Sequence, residues 1–134
     1  MHVNPGKEII DITWDEFDEA VEQMTIAAKE VMDHIHIDAI YGIPRGGLVL
    51  GVCLSHALDL PLISTSAITN GKHKNILAVD DIADTGETLI NLSKTVDRET
   101  SLFYTLHYDE NSTFEPDFYY AGNSGFWISY PWEK

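Results

Sequence analysis

Cysteine is almost absent. Cys53 stands alone, which excludes an intrachain disulfide and any thiolate metal cluster held by a single chain, and fits a reducing setting. Basic residues are scarce as well: 8 Lys and Arg stand against 22 Asp and Glu, for a formal net charge of -14. A surface of that sign repels phosphate backbones and anionic membranes, so nucleic acid and membrane are not expected as partners. No apolar run approaches the roughly 20 residues that span a bilayer, and the first residues lack the basic-then-apolar pattern of a signal peptide. The expectation is a cytoplasmic, soluble protein. Also missing are internal repeats, a Gly-rich loop ending in Gly-Lys-Ser/Thr, and a dinucleotide-binding glycine fingerprint, which sets aside two common phosphate-binding folds.

What is present is enough for one core. A chain of 134 residues with 44% hydrophobic residues is predicted to form a single domain over residues 1–134. Thr13-Trp14-Asp15-Glu16 has the form of a capping box and predicts a helix start. Trp14, Phe17, Val21, Met24, Ala28 and Val31 recur at spacings of three and four, which predicts its buried stripe. Strands are predicted over residues 35–43, 60–68, 76–79 and 101–108, with a short one over 118–121; helices are predicted over 48–58 and 85–96. Residues 122–134 are too rich in Gly, Ser, Pro and aromatics for a helix. This alternation predicts an α/β fold with a mainly parallel central sheet flanked by helices. The unbroken apolar run 76–79 suits a central strand covered on both faces.

In an open α/β sheet, ligands sit beyond the carboxyl ends of the strands, where residues 80–88 fall. Asp80 and Asp81 carry two carboxylates able to accept from neighbouring sugar hydroxyls or to hold Mg2+ through its waters. Asp84-Thr85-Gly86-Glu87-Thr88 follows as a turn into a helix, where free N–H groups and two threonine hydroxyls can surround a phosphate and Gly86 leaves room for close approach. A second loop, residues 42–47, offers Arg45, Gly46 and Gly47 to phosphate oxygens. An isolated acid pair or a surface arginine is more often a solvated turn; the whole pattern is far more demanding.

Ile76-Leu77-Ala78-Val79-Asp80-Asp81-Ile82-Ala83-Asp84-Thr85-Gly86-Glu87-Thr88 resembles, almost position for position, the signature of the type I phosphoribosyltransferases. Residues 43–51 resemble the pyrophosphate loop of the same family, nearest to its bacterial xanthine-guanine and hypoxanthine branch, and Trp127-Ile128-Ser129-Tyr130-Pro131-Trp132 resembles that branch's chain end. The resemblance implies transfer of ribose 5-phosphate from 5-phospho-α-D-ribose 1-diphosphate to a purine, a 6-oxopurine such as hypoxanthine or guanine, in purine salvage with Mg2+. It implies Asp84 and Arg45 as catalytic residues. Asp80, Asp81, Asp84, Thr85, Gly86, Glu87, Thr88, Arg45 and Gly46 are implied to hold the donor, with Asp80 and Asp81 at the metal. Trp127 and Ile128 are implied at the base, with Trp127 otherwise a packing anchor. A non-proline cis peptide is implied near Arg45-Gly46, and a homo-oligomer, most simply a dimer, is implied for assembly.

Two departures stand out. The family's purine enzymes carry a base-reading Lys after the strand corresponding to residues 101–108; here His107 and Tyr108 fall at that place, as hydrogen-bond donors to the base or as a plain strand end. The segment 68–75 is short for a family that often has a long flap there, so Lys72, His73 and Lys74 form a minimal cationic lid or a solvated turn. Two other readings remain: a non-catalytic regulator that binds the phosphoribosyl diphosphate, and a transferase for a pyrimidine or nonstandard base.

Overall fold

A computed structural model of the chain describes residues 8–71, 73 and 75–133; Lys72 and Lys74 of the suggested lid lie outside the described residues. Five parallel strands form the main sheet in the order β3-β2-β4-β5-β6: β2 (Ala39–Gly42), β3 (Leu62–Ile63), β4 (Ile76–Ala83), β5 (Leu102–Asp109) and β6 (Phe118–Asn123). The central position of β4 follows from its sequence: Ile76, Leu77, Ala78 and Val79 are all fully buried. Its side chains alternate between two cores. Leu77 and Val79 join Phe17, Met24, Ile40, Leu50, Leu54 and Tyr104 on one face, while Ile76 and Ala78 join Tyr41, Ile68, Leu89 and Phe103 on the other. The strand period of two therefore covers both sheet faces with helices, as a parallel sheet requires.

Helix α1 (Trp14–Met32) begins where the capping box places it, with the Glu16 N–H donating to Thr13 Oγ1 at 3.1 Å. Phe17, Ala20, Met24 and Ala28 are its buried residues. Trp14 is 52% exposed rather than buried; at the first turn it lies over the rim of the core, edge-on to Phe17 and 6.3 Å from the Trp132 ring. Helix α2 (Leu48–Leu58) matches its predicted span. Helix α4 (Glu87–Ser93) starts two residues later than the predicted 85–96, because Gly86 at φ 87° and the hydroxyl of Thr85 form its entry turn, and it ends three residues earlier.

Two other expectations are corrected. Of residues 35–43 only Ala39–Gly42 pair in the sheet. Residues 60–68 hold the two-residue β3, then helix α3 (Thr65–Thr69), whose Ile68 is buried beneath the sheet; a β-branched composition does not distinguish these states over so few residues. At the chain end, β7 (Trp127–Ser129) pairs in parallel with β1 (Ile9–Asp11), through Ile9↔Trp127, Ile10↔Ile128 and Asp11↔Ser129. This small second sheet, followed by the 3-10 turn Pro131–Glu133, brings Trp127 to the carboxyl edge of the main sheet.

Candidate active site

Both predicted ligand loops lie on one edge of the sheet. β4 runs on through the acid pair, and its alternation turns the two carboxylates to different neighbours. Asp81 faces the loop before α2: a Cβ placed on Gly46 would collide with the Asp81 carboxylate. Asp80 lines a small cavity of about 80 Å³ with Asp84, Thr85, Gly86 and Thr88, and its carboxyl also interacts with that of Asp81. The Asp81 N–H donates to Asp80 Oδ1 at 2.8 Å, and the Ile82 N–H to Asp81 Oδ1 at 2.7 Å.

Burial raises the proton affinity of both acids. Asp80 is pushed up to about 8, by loss of hydration first and by the adjacent Asp81 charge second; Asp81 is also raised, chiefly by burial. A buried acid pair without a compensating cation is costly to ionise. Its chemistry suits a guest that supplies hydroxyl donors or positive charge. Among the described residues no three acidic, histidine or cysteine side chains converge to enclose a metal, so these two carboxylates fit Mg2+ only as it is commonly held, by one or two acids with water and substrate oxygens completing its shell.

The turn after β4 is braced from a distance. Thr113 donates through its backbone N–H and its hydroxyl to the Thr85 carbonyl, both at 3.0 Å. Gly86 has a positive φ that disfavours any side chain, and a Cβ there would approach Phe114 N to 2.6 Å. Residues 110–117, which return the chain from β5 to β6 without a helix, thus hold the phosphate-type turn in shape. Nothing in the local sequence of residues 84–88 signals this non-local support.

A second cavity, of about 270 Å³, adjoins the first and shares Ile82 and Asp84 with it; Asp81, Asp109, Asn123, Phe126, Trp127, Ile128, Tyr130 and Glu133 complete its wall. Trp127 and Ile128 therefore stand where Asp84 is also present. His107 and Tyr108 do not line it; both border a wider cleft with Ile10 and Tyr119, which adjoins this cavity through Asn123, Phe126 and Ile128. His107 is buried, its Nδ1 lies 2.9 Å from the Tyr130 hydroxyl, and burial lowers its pKa to about 4. Because that hydroxyl donates to the Asp81 carbonyl at 3.1 Å, it accepts from a neutral His107 bearing a proton on Nδ1. The pair ties the chain end to the end of β4. Tyr108 packs against Tyr119, ring centroids 5.0 Å apart.

Asp109, Asn123 and Tyr130 escaped the sequence reading. Asp109 lies one residue beyond the predicted strand end, and a one-residue shift in a strand exchanges the side chain offered to a site.

Arg45 is exposed on the loop before α2, and the non-proline cis bond joins Pro44 to Arg45, one bond earlier than expected. Gly47 is tightly enclosed: a Cβ there would meet the carbonyl of Val79 and come within 2.8 Å of Ile43 N.

No family model matches the sequence, and no curated protein matches it. Solved structures do. A purine phosphoribosyltransferase from Pyrococcus horikoshii is similar with a TM-score of 0.77 at 26% identity, over 94% of this chain and 95% of that one. A xanthine-guanine-hypoxanthine phosphoribosyltransferase from Helicobacter pylori gives 0.74 at 20% identity, over 95% and 93%. A hypothetical protein from Neisseria gonorrhoeae with bound ppGpp gives 0.72 at 17% identity, over 98% and 92%.

Proposed function

We propose that this chain, whose fold is that of the type I phosphoribosyltransferases, transfers ribose 5-phosphate from 5-phospho-α-D-ribose 1-diphosphate to a purine, releasing pyrophosphate. One observation carries the reading: two adjoining cavities, one edged by Thr85, Gly86 and Thr88 and the other by Trp127, share Asp84 and are flanked by Asp80 and Asp81. That order matches the order of groups in a purine nucleotide: phosphate, sugar, base.

In this reading the turn over residues 84–88 grips the 5-phosphate through N–H groups and hydroxyls, and Asp80 and Asp81 accept from the ribose hydroxyls. Arg45 and the N–H group of Gly46 receive the diphosphate as negative charge builds on it, while the Gly47 N–H, donating to the Ile43 carbonyl at 2.8 Å, holds the loop in shape. Mg2+, where bound, adds positive charge beside the diphosphate, with Asp80 and Asp81 as its protein ligands. Asp84 lies between sugar and base, placed to orient the attacking ring nitrogen and to take its proton. The Trp127 indole offers a face for stacking, worth roughly 1 to 3 kcal/mol per base. The base is a 6-oxopurine in this proposal, on the strength of the Trp127-Ile128 ending. Assembly as a homodimer, and a place in purine salvage in the cytoplasm, belong to the same reading.

Two substitutions separate the roles. Asp84→Asn should lower kcat by about a hundredfold, within the range for general acid–base groups, with donor affinity by calorimetry almost unchanged. Thr88→Ala should weaken donor affinity by about tenfold, the loss of one hydrogen bond to a charged group, with little effect on the base. Joint loss of donor affinity and turnover in Asp84→Asn would move this residue to the sugar; unchanged donor affinity in Thr88→Ala would remove it from the phosphate cradle.

A further inference from the structure

The wall of the Trp127 cavity is one-sided in its hydrogen-bonding chemistry. Among the described residues, the charged ones that line it are Asp81, Asp84, Asp109 and Glu133, with no Lys or Arg. Carboxylates accept and do not donate. Asn123 adds an independent sign. It is 8% exposed, its Nδ2 donates to the Phe126 carbonyl at 3.0 Å, and its Oδ1 is buried with no partner among the described residues. A buried acceptor without a donor is unfavourable by about 1 to 3 kcal/mol, a cost that a guest N–H reaching Asn123 from the cavities it lines would relieve.

Asp109 and Asn123 are register partners at the ends of the adjacent strands β5 and β6. The Asp109 side chain is half-buried and held by one oxygen, Oδ1, which accepts from the Asn111 N–H at 2.9 Å; a carboxylate has further lone pairs to offer. Glu133 is likewise engaged through Oε1, by the Tyr130 N–H at 2.8 Å. These acceptors are anchored before any ligand arrives, which favours selectivity.

We propose that Asp109, with Asn123 beside it, selects a purine that presents an exocyclic amino group, so that guanine is the preferred 6-oxopurine. This rests on the purine reading given above and narrows it. Hypoxanthine lacks the 2-amino donors. Xanthine replaces them with an oxygen that faces acceptors, and its partly anionic form meets a negative wall. Adenine has an amino group but no 6-oxo group, and separates the two parts of the proposal.

The test compares initial rates for guanine, hypoxanthine, xanthine and adenine with the phosphoribosyl diphosphate and Mg2+, alongside calorimetry with the nucleotides GMP and IMP. One charge-assisted hydrogen bond corresponds to a preference of between about ten- and a hundredfold. Guanine should exceed hypoxanthine in kcat/KM by that factor, through KM, and GMP should bind more tightly than IMP. Asp109→Asn keeps an oxygen for the Asn111 N–H and should narrow the gap; Asp109→Lys should reverse it in favour of hypoxanthine and xanthine. Equal use of guanine and hypoxanthine, or variants that lower both alike at unchanged melting temperature, would overturn the proposal. Preference for adenine would retain the amino-group selection and overturn guanine. If the wild-type protein turns over no base, the transferase reading fails, and the GMP-to-IMP affinity ratio still decides for or against Asp109.

Discussion

Asp80→Asn is expected to make the protein more stable and nearly inactive. The wild-type acid is held near the neutral range by burial and by its neighbour Asp81, and the amide keeps an oxygen for the Asp81 N–H while removing one buried charge. The sign of the pH dependence follows. A carboxyl whose folded pKa is raised contributes stability that is complete below its unfolded value, 3.8, and is lost as pH rises through about 8. The variant's advantage over the wild type should therefore be near zero at pH 4 and largest above pH 8. The difference should be read as a higher melting temperature of the variant, absent at pH 4 and growing as pH rises toward 8. Turnover should fall by about a hundredfold or more, the effect of removing a preorganised polar contact at the reacting centre. Differential scanning calorimetry across this pH range, with kinetics, checks both. Mg2+ with the phosphoribosyl diphosphate should raise the melting temperature of the wild type and do so much less in the variant. A variant less stable than the wild type at pH 8 would contradict the account of the acid pair.

Gly46→Ala should separate function from folding, and its neighbour should do the reverse. The methyl group at residue 46 lands on the carboxylate of Asp81, the free end of a side chain that can rotate away, so the fold survives while the acid leaves its place. A displacement of about 1 Å at a reacting centre can lower the rate roughly a hundredfold, and a loss of that order in kcat/KM for the donor is expected, with a melting temperature close to wild type. At Gly47 the obstacles are backbone atoms of Val79 and Ile43, which cannot rotate aside. Gly47→Ala should lower stability by roughly 3 kcal/mol, in the upper part of the ordinary range for one substitution. Equal melting temperatures for the two variants would show that the loop is looser than the structure describes.

The parts of the molecule read well from sequence are those whose signal is local and physically over-determined. Residues 76–88 combine a run buried on both faces, two acids and a glycine turn within a single strand-loop-helix unit, and each feature requires the others nearby. The α1 cap is similar, since Thr13 and Glu16 meet within one turn. What escaped depends on distant partners or on register. β1 has three residues and exists as a strand because β7 pairs with it from the other end of the chain. The support of Thr85 by Thr113 links residues 28 positions apart. His107 looked available for a base because imidazole is versatile, whereas its burial and its bond to Tyr130 commit it to holding the end of β4. Two residues further on, Asp109 reaches the cavity. The missing Lys was legible; the acceptor-lined wall in its place was not, because it is assembled from four separate segments.

The central claim is tested most directly by incubating the purified protein with 5-phospho-α-D-ribose 1-diphosphate, Mg2+ and each of the four purines, and measuring nucleotide and pyrophosphate together. The account predicts Mg2+-dependent formation of a purine nucleoside 5-monophosphate and pyrophosphate in equal amounts, fastest with guanine. Tight binding of the diphosphate donor without turnover of any purine would contradict it, and would place the chain among proteins that bind a phosphoribosyl ligand without transferring it.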